Sequence, residues 1–79
     1  MKLLVRNLER KTNEHEIRVL FSTHGTVTEC NLVLDHETGL SKGFAFVEMP
    51  DEKEAKAAVE NLNLSTVAKS KIRVKFAQN

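Results

Sequence analysis

The sequence has no tryptophan, no tyrosine and a single cysteine, with only one proline and three glycines among 79 residues. Because Cys30 has no second cysteine to pair with, an internal disulfide framework is excluded, which favours a reducing compartment and makes the cytoplasm the expected location. The apolar start of the chain stops at Arg6, so neither a signal peptide nor a membrane span is predicted. The histidines lack metal-ligand spacing, and we expect no metal and no cofactor.

A large excess of charge of one sign is also missing, because 12 lysines and arginines are balanced by 11 aspartates and glutamates. A chain of 79 residues with 41% hydrophobic residues is expected to form one domain, residues 1–79, as a monomer with a modest core. Binding to a polyanion would therefore depend on where the cations lie in the fold, because the formal net charge is only +1.

Hydrophobic periodicity predicts the order strand, helix, strand, strand, helix, strand. Asn13 with Glu16 and Asp51 with Glu54 predict capping boxes at the starts of the two helices. Right-handed crossovers place both helices on one face of a four-stranded antiparallel sheet, which is an α+β, ferredoxin-like βαββαβ fold. The predicted strands are 2–7, 27–34, 42–49 and 71–76, and a short extra strand is expected near 64–67. The first helix is predicted at 14–23. The second helix follows Asp51 and has the apolar stripe Ala55, Ala58, Val59 and Leu62.

The core is predicted from strand residues of one parity and from the apolar stripes of the helices. Cys30, Leu32 and Leu34 share the inward face of the second strand, and Met49 falls on the inward face of the third. Phe21 and Phe76 are also expected in the core, since both continue apolar patterns of their elements.

The opposite face of the sheet has no chain left to cover it, and it gathers half of the 12 lysines and arginines. Residues 42–49 alternate between a small or apolar set and a set that contains Phe44 and Phe46 beside charged residues. Exposed aromatic rings next to cations on a sheet usually mark a binding surface. By parity the uncovered face carries Lys2, Leu4, Arg6, Glu29, Asn31, Val33, Lys42, Phe44, Phe46, Glu48, Lys71, Arg73 and Lys75.

This combination of side chains suits one kind of ligand. Lysine and arginine neutralise phosphates, and phenylalanine rings stack on unpaired, splayed bases. The face is therefore interpreted as a platform for a single nucleic-acid strand.

The chain resembles an RNA recognition motif from end to end, in the compact single-domain form of that family. Lys42-Gly43-Phe44-Ala45-Phe46-Val47-Glu48-Met49 is similar to the family's octamer signature, and Leu3-Leu4-Val5-Arg6-Asn7-Leu8 is similar to its hexamer signature, on the two central strands. The resemblance implies that Phe44 and Phe46 stack on a base and pack on a sugar, and that Lys42 meets a backbone phosphate. Leu4 departs from the pattern, because that position is usually aromatic, and we expect a weakened subsite there.

We therefore expect a non-enzymatic binder of single-stranded RNA, with single-stranded DNA as a second candidate ligand. A protein-interaction module of the same fold is the first alternative, because Leu4 removes one stacking ring. An enzyme of the same fold is the second, although the sequence has no catalytic constellation. The predicted RNA-binding residues are Lys2, Leu4, Arg6, Asn31, Lys42, Phe44, Phe46, Arg73, Lys75 and Gln78, with Ala77 beside the last of them.

Overall fold

Two helices and six strands form within residues 1–77, which are the residues that the computed structural model describes. Neither helix in this part of the chain is long and apolar enough to cross a membrane. The elements are β1 (Lys2–Arg6), α1 (Glu14–Ser22), β2 (Glu29–Leu34), β3 (Ser41–Glu48), α2 (Glu52–Leu62), β4 (Thr66–Val67), β5 (Ser70–Lys71) and β6 (Arg73–Phe76).

The main sheet has the strand order β2-β3-β1-β6, and all three strand pairs are antiparallel. The helix α1 packs against β2 and β3, and α2 packs against β6. The predicted α+β, ferredoxin-like fold is confirmed. The octamer and hexamer segments lie on β3 and β1, which are the central strands, so their outward side chains stand next to each other.

The two helix starts differ in how they are capped. Asn13 and Glu16 form the predicted box, with each side chain accepting a backbone N–H of the other residue, at 2.8 and 3.0 Å. At α2, the Asp51 side chain accepts the Glu54 N–H at 3.0 Å, but the Glu54 carboxylate accepts the Thr26 N–H at 3.1 Å. The second predicted box is therefore half formed, because Glu54 ties α2 to the segment before β2.

The core lies between the helices and the inward face of the sheet. Phe21, Cys30 and Met49 are buried there, as predicted. Burial of each large apolar side chain stabilises the fold by roughly 1.5–3 kcal/mol. Within residues 1–77 the buried hydrophobic residues are Leu3, Val5, Leu8, Ile17, Phe21, Cys30, Ala45, Val47, Met49, Ala55, Ala58, Leu62, Ile72 and Val74.

Two residues predicted in the core are exposed, and both lie at the ends of edge strands. Leu34 is 52% exposed, because the pairing shifts between Leu32, which faces Ala45, and Leu34, which faces Ser41 at the loop end of the hairpin. Phe76 is 37% exposed at the end of β6. Alternation gave the correct inward face for the middle of each strand but was wrong at these two ends.

A second, two-stranded sheet pairs β4 with β5, which confirms the short extra strand. Lys71 belongs to β5 and pairs with Thr66, so its assignment to the fourth strand of the main sheet was wrong. The two-residue turn consists of Ala68 and Lys69, with φ values of 50° and 72°. This conformation is that of a type I′ turn, which favours asparagine and glycine over residues with a longer side chain.

Replacing Ala68-Lys69 with Asn-Gly should therefore stabilise the domain, because both residues tolerate positive φ. We expect a gain of about 1 kcal/mol in the free energy of unfolding, or roughly 4–8 °C in Tm for a domain of this size. Thermal unfolding followed by circular dichroism measures the change. A Tm equal to or below that of the wild type would show that the turn is not strained.

The single thiol provides a second stability test. Burial raises the pKa of the Cys30 thiol, the Glu14 carboxylate raises it further, and Arg18 lowers it. The thiol also donates to the Glu14 carbonyl oxygen at 3.6 Å. The neutral thiol is thus the form that the fold prefers.

The pKa of the thiol is higher in the folded than in the unfolded chain. The neutral thiol therefore contributes its full share to the free energy of unfolding below the ordinary thiol pKa of 9.0, and this contribution is lost as the pH rises further. We expect the free energy of unfolding to fall more steeply above about pH 9 in the wild type than in Cys30→Val. Urea unfolding at a series of alkaline pH values measures both slopes. Equal slopes would contradict the prediction.

Candidate nucleic-acid interface

A row of four side chains crosses all four strands of the uncovered face. Asn31 on β2 is opposite Phe46 on β3, Phe46 is opposite Leu4 on β1, and Leu4 is opposite Lys75 on β6. Directly opposed side chains on one sheet face have Cβ atoms roughly 4.5–5.5 Å apart. Four of the predicted residues are therefore brought together as one continuous strip.

The two phenylalanine rings lie in contact at right angles. Their centroids are 6.2 Å apart, the interplanar angle is 87°, and both side chains are half-buried. The Lys2 ammonium lies 5.6 Å from the centroid of the Phe46 ring. A cation in this position contributes roughly 0.5–1 kcal/mol at an exposed site. A base that stacks on this side of Phe46 would displace Lys2 and leave its charge for a phosphate.

The predicted cations lack carboxylate partners. Among residues 1–77 the one ion pair within 4.0 Å joins the N-terminal amine to the Glu48 carboxylate, at 3.1 Å. Phosphates could therefore bind these cations without first breaking a salt bridge. The exposed cations of the main sheet are Lys2, Arg6, Lys42, Arg73 and Lys75.

Charge is also unequal between the two ends of the face. Glu29 and Glu48 oppose each other at the end where β3 finishes. Arg6 is paired with Arg73 at the other end, where β3 begins with Ser41 and Lys42. The Arg6 end therefore favours an anion, and the end with the two carboxylates favours a hydrogen-bond donor.

Leu4 occupies the position where the resemblance implies an aromatic ring. It is half-buried, and it lines a cavity with Phe46, Lys75, Phe76 and Ala77. Sequence alternation missed Phe76 as a residue of this surface, because it counted the ring as core. Gln78 lies outside the described residues. The Ala77 N–H donates to the Lys2 carbonyl oxygen at 2.8 Å, so the pairing with β1 includes Ala77.

Two loop residues also border the site, and no sequence signal singled them out. Arg10 and Leu40 line cavities beside Phe44, Arg10 from the segment after β1 and Leu40 from the β2–β3 connection. The strand periodicity that placed the other residues does not extend into loops. In the described part of the chain, no group of three His, Cys, Asp or Glu side chains is placed to hold a metal ion.

The architecture is that of a ferredoxin-like domain whose uncovered sheet face carries a pair of phenylalanines in contact and, within residues 1–77, cations without carboxylate partners. The family model of the RNA recognition motif matches residues 3–73. The chain is a member of the RNA recognition motif family.

Curated relatives are identical to this chain at more than a third of the aligned residues. A Sex-lethal homolog of Megaselia scalaris is 37% identical over 76 residues, which cover 96% of this chain and 24% of that protein. The RNA-binding protein lark of Drosophila melanogaster is 37% identical over 78 residues, which cover 99% of this chain and 20% of that protein. The chain thus spans about a quarter or less of the length of these relatives.

Solved structures show the same fold closely. The crystal structure of RNA binding protein PG1 has a TM-score of 0.96 and 38% identity, and the match covers 100% of this chain and 95% of that one. A Sex-lethal protein–RNA complex has a TM-score of 0.94 and 31% identity, covering 99% of this chain and 47% of that one.

Proposed function

We propose that this domain binds single-stranded RNA on the uncovered face of the β2-β3-β1-β6 sheet and acts as a binder rather than an enzyme. The observation that carries the proposal is the Phe44–Phe46 pair, which is half-buried and in contact at right angles among cations without carboxylate partners. Membership of the RNA recognition motif family supports it, and so does the likeness to a Sex-lethal protein–RNA complex.

The ring geometry favours unpaired nucleotides. A phenylalanine ring stacks on the flat face of a base, and this face is accessible only when the base is not within a helix. Because the Phe44 and Phe46 rings are perpendicular, the two cannot take part in one parallel stack. One ring therefore stacks on a base while the other packs against the neighbouring sugar or base edge.

Phosphate contacts supply the rest of the binding energy. Lys42 and Arg6 lie at the cationic end of the face, and Lys2 and Lys75 flank the Phe46–Leu4 strip. Each phosphate neutralised on a single strand contributes roughly −0.7 to the slope of log affinity against log salt. With two stacking rings and leucine at position 4, we expect a Kd of order micromolar.

Selection from a random RNA pool, followed by fluorescence anisotropy on the enriched sequence, tests the proposal. The enriched single strand should bind in the micromolar range, and the same sequence as an RNA duplex should bind at least about tenfold more weakly, because stacking is lost. Single-stranded DNA of the same sequence measures the contribution of the 2′-hydroxyls. A pool without enrichment, or equal binding of strand and duplex, would contradict the proposal.

A further inference from the structure

The segment after β1 is held firmly against the sheet. Asn7 adopts φ of 60°, and the Leu8 N–H donates to the Gly43 carbonyl oxygen at 2.8 Å, with the Leu8 side chain in the core. A turn follows, in which the Thr12 N–H donates to the Glu9 carbonyl oxygen at 3.0 Å. Arg10 lies in this turn and is exposed, so its guanidinium extends into solvent from a backbone that hydrogen bonds hold in place.

The β3 side of this junction is also fixed. Gly43 adopts φ of 85°, and its N–H donates to the Ser41 hydroxyl at 3.0 Å. A Cβ at this position would lie 3.3 Å from the Leu8 carbonyl oxygen, so the close approach of the two segments favours glycine. This approach brings Arg10 to the edge of the surface that carries Lys42 and Phe44.

Two neighbouring cavities meet at these side chains. The first, of about 340 Å³, lies on the sheet and is lined by Arg6, Asn7, Leu8, Arg10, Lys42, Gly43 and Phe44. The second, of about 370 Å³, lies at the β2–β3 loop and is lined by Arg10, Asp35, Thr38, Leu40, Ser41, Lys42 and Phe44. Arg10, Lys42 and Phe44 border both, so they form the boundary between sheet and loop. Both volumes fall at the small end of the range for ligand pockets, roughly 300–1,000 Å³.

The electrostatics of the boundary favour an anion. Three cations, Arg6, Arg10 and Lys42, line the two cavities, and none is within 4.0 Å of a carboxylate in residues 1–77. Asp35 is the one acid in either lining. Hydrogen bonds from the Thr38 and Glu37 backbone N–H groups lower the pKa of Asp35, and the Lys42 charge lowers it as well, while the carboxylate holds the loop. Even with this acid counted, the two linings carry three cations against one carboxylate.

The second cavity also offers an apolar contact. Leu40 is 64% exposed, and the loop fixes its backbone, because the Asp35 N–H donates to the Leu40 carbonyl oxygen and the Leu40 N–H donates to the Thr38 hydroxyl. A large exposed apolar side chain beside cations can pack against a base.

We propose that Arg10 and Lys42 clamp one backbone phosphate of the RNA at the edge of the sheet, and that the strand continues into the loop cavity, where Leu40 packs against one further nucleotide. The proposal rests on the RNA binding proposed above and adds to it a path off the sheet. Arg10 and Leu40 then raise the affinity for strands longer than the sheet alone can hold, and Arg10 does so without reading their sequence.

The test compares Arg10→Gln with Lys11→Gln. Both variants remove one exposed loop cation, but Lys11 lines a different cavity, with Ala68 and Lys69. With the enriched RNA, Arg10→Gln should lower affinity about 3- to 10-fold and make the salt slope shallower by about 0.7. Lys11→Gln should change affinity by less than about twofold, and Arg10→Lys should restore the slope, because it restores the charge.

The Leu40 contact is tested with RNAs of increasing length. For the wild type, one added nucleotide should raise affinity severalfold once the sheet is filled, and Leu40→Thr should remove that gain. Val19→Thr, at an exposed apolar position on α1, is the matched control and should retain it. Equal effects of Arg10→Gln and Lys11→Gln would overturn the phosphate clamp. An unchanged length gain in Leu40→Thr would overturn the path into the loop cavity. In both cases wild-type binding would still support the sheet site. Absence of wild-type binding would instead reject the proposed function itself.

Discussion

Replacing both Phe44 and Phe46 with alanine should reduce the affinity for single-stranded RNA by about 5- to 150-fold through the lost base stack, which is worth roughly 1–3 kcal/mol, and by more because the packing of the second ring is lost with it. The fold should survive, since both rings are only half-buried on the face opposite the core. Fluorescence anisotropy with the enriched RNA measures the loss, and circular dichroism checks the fold. The losses in binding free energy of the two single variants should not sum to the loss of the double variant, because the rings are in contact, with centroids 6.2 Å apart.

A conservative control separates stacking from apolar packing. Phe44→Leu combined with Phe46→Leu keeps most of the apolar surface and removes only the aromatic faces. This variant should lose most of the affinity that the alanine variant loses. If the leucine variant bound as tightly as the wild type, stacking would not be the source of the affinity. If the alanine variant bound as tightly as the wild type, the RNA-binding site would lie elsewhere.

Replacing Leu4 with phenylalanine should have the second largest effect, and in the opposite direction. Leu4 stands between Phe46 and Lys75 in the row that crosses the sheet, so a ring at this position would extend the stacking surface from β3 onto β1. One added stack of roughly 1–3 kcal/mol corresponds to a gain in affinity of about 5- to 150-fold. The enriched RNA and the same anisotropy assay measure it.

The matched control introduces the same residue on the other side of the domain. Val19→Phe adds an exposed ring on α1 and should leave RNA affinity within about twofold of the wild type, because the helices lie behind the sheet. Equal gains from Leu4→Phe and Val19→Phe would indicate non-specific attachment to apolar surface. No gain from Leu4→Phe would mean that the strand does not pass over β1 at that point.

The sequence predicted the architecture of the site because strands impose a period of two on their side chains. Alternation in 42–49 alone separated Ala45 and Val47, which are buried, from Phe44 and Phe46, which face outward. The same rule was wrong for Phe76. Burial at the last residue of an edge strand depends on what lies beside it, and periodicity carries no information about that neighbour.

The loop residues illustrate a different limit. Arg10 lies in a polar segment whose composition is that of an ordinary exposed turn. Leu40 lies in the polar connection after β2. Their meeting at Phe44 depends on the positive φ of Gly43 and the close approach of Leu8, which are tertiary features. Residues brought together by such contacts are 30 positions apart along the chain and share no periodic pattern.

Chemical-shift mapping of the backbone amides and phenylalanine ring signals, during titration with the enriched single-stranded RNA, shows directly whether the uncovered sheet face binds the strand. We expect the largest changes on the Phe44 and Phe46 rings and on the β1 and β3 amides around Leu4 and Lys42, while the exposed faces of α1 and α2 change little. Perturbations confined to the two helices, or ring signals that do not move at saturating RNA, would contradict this expectation.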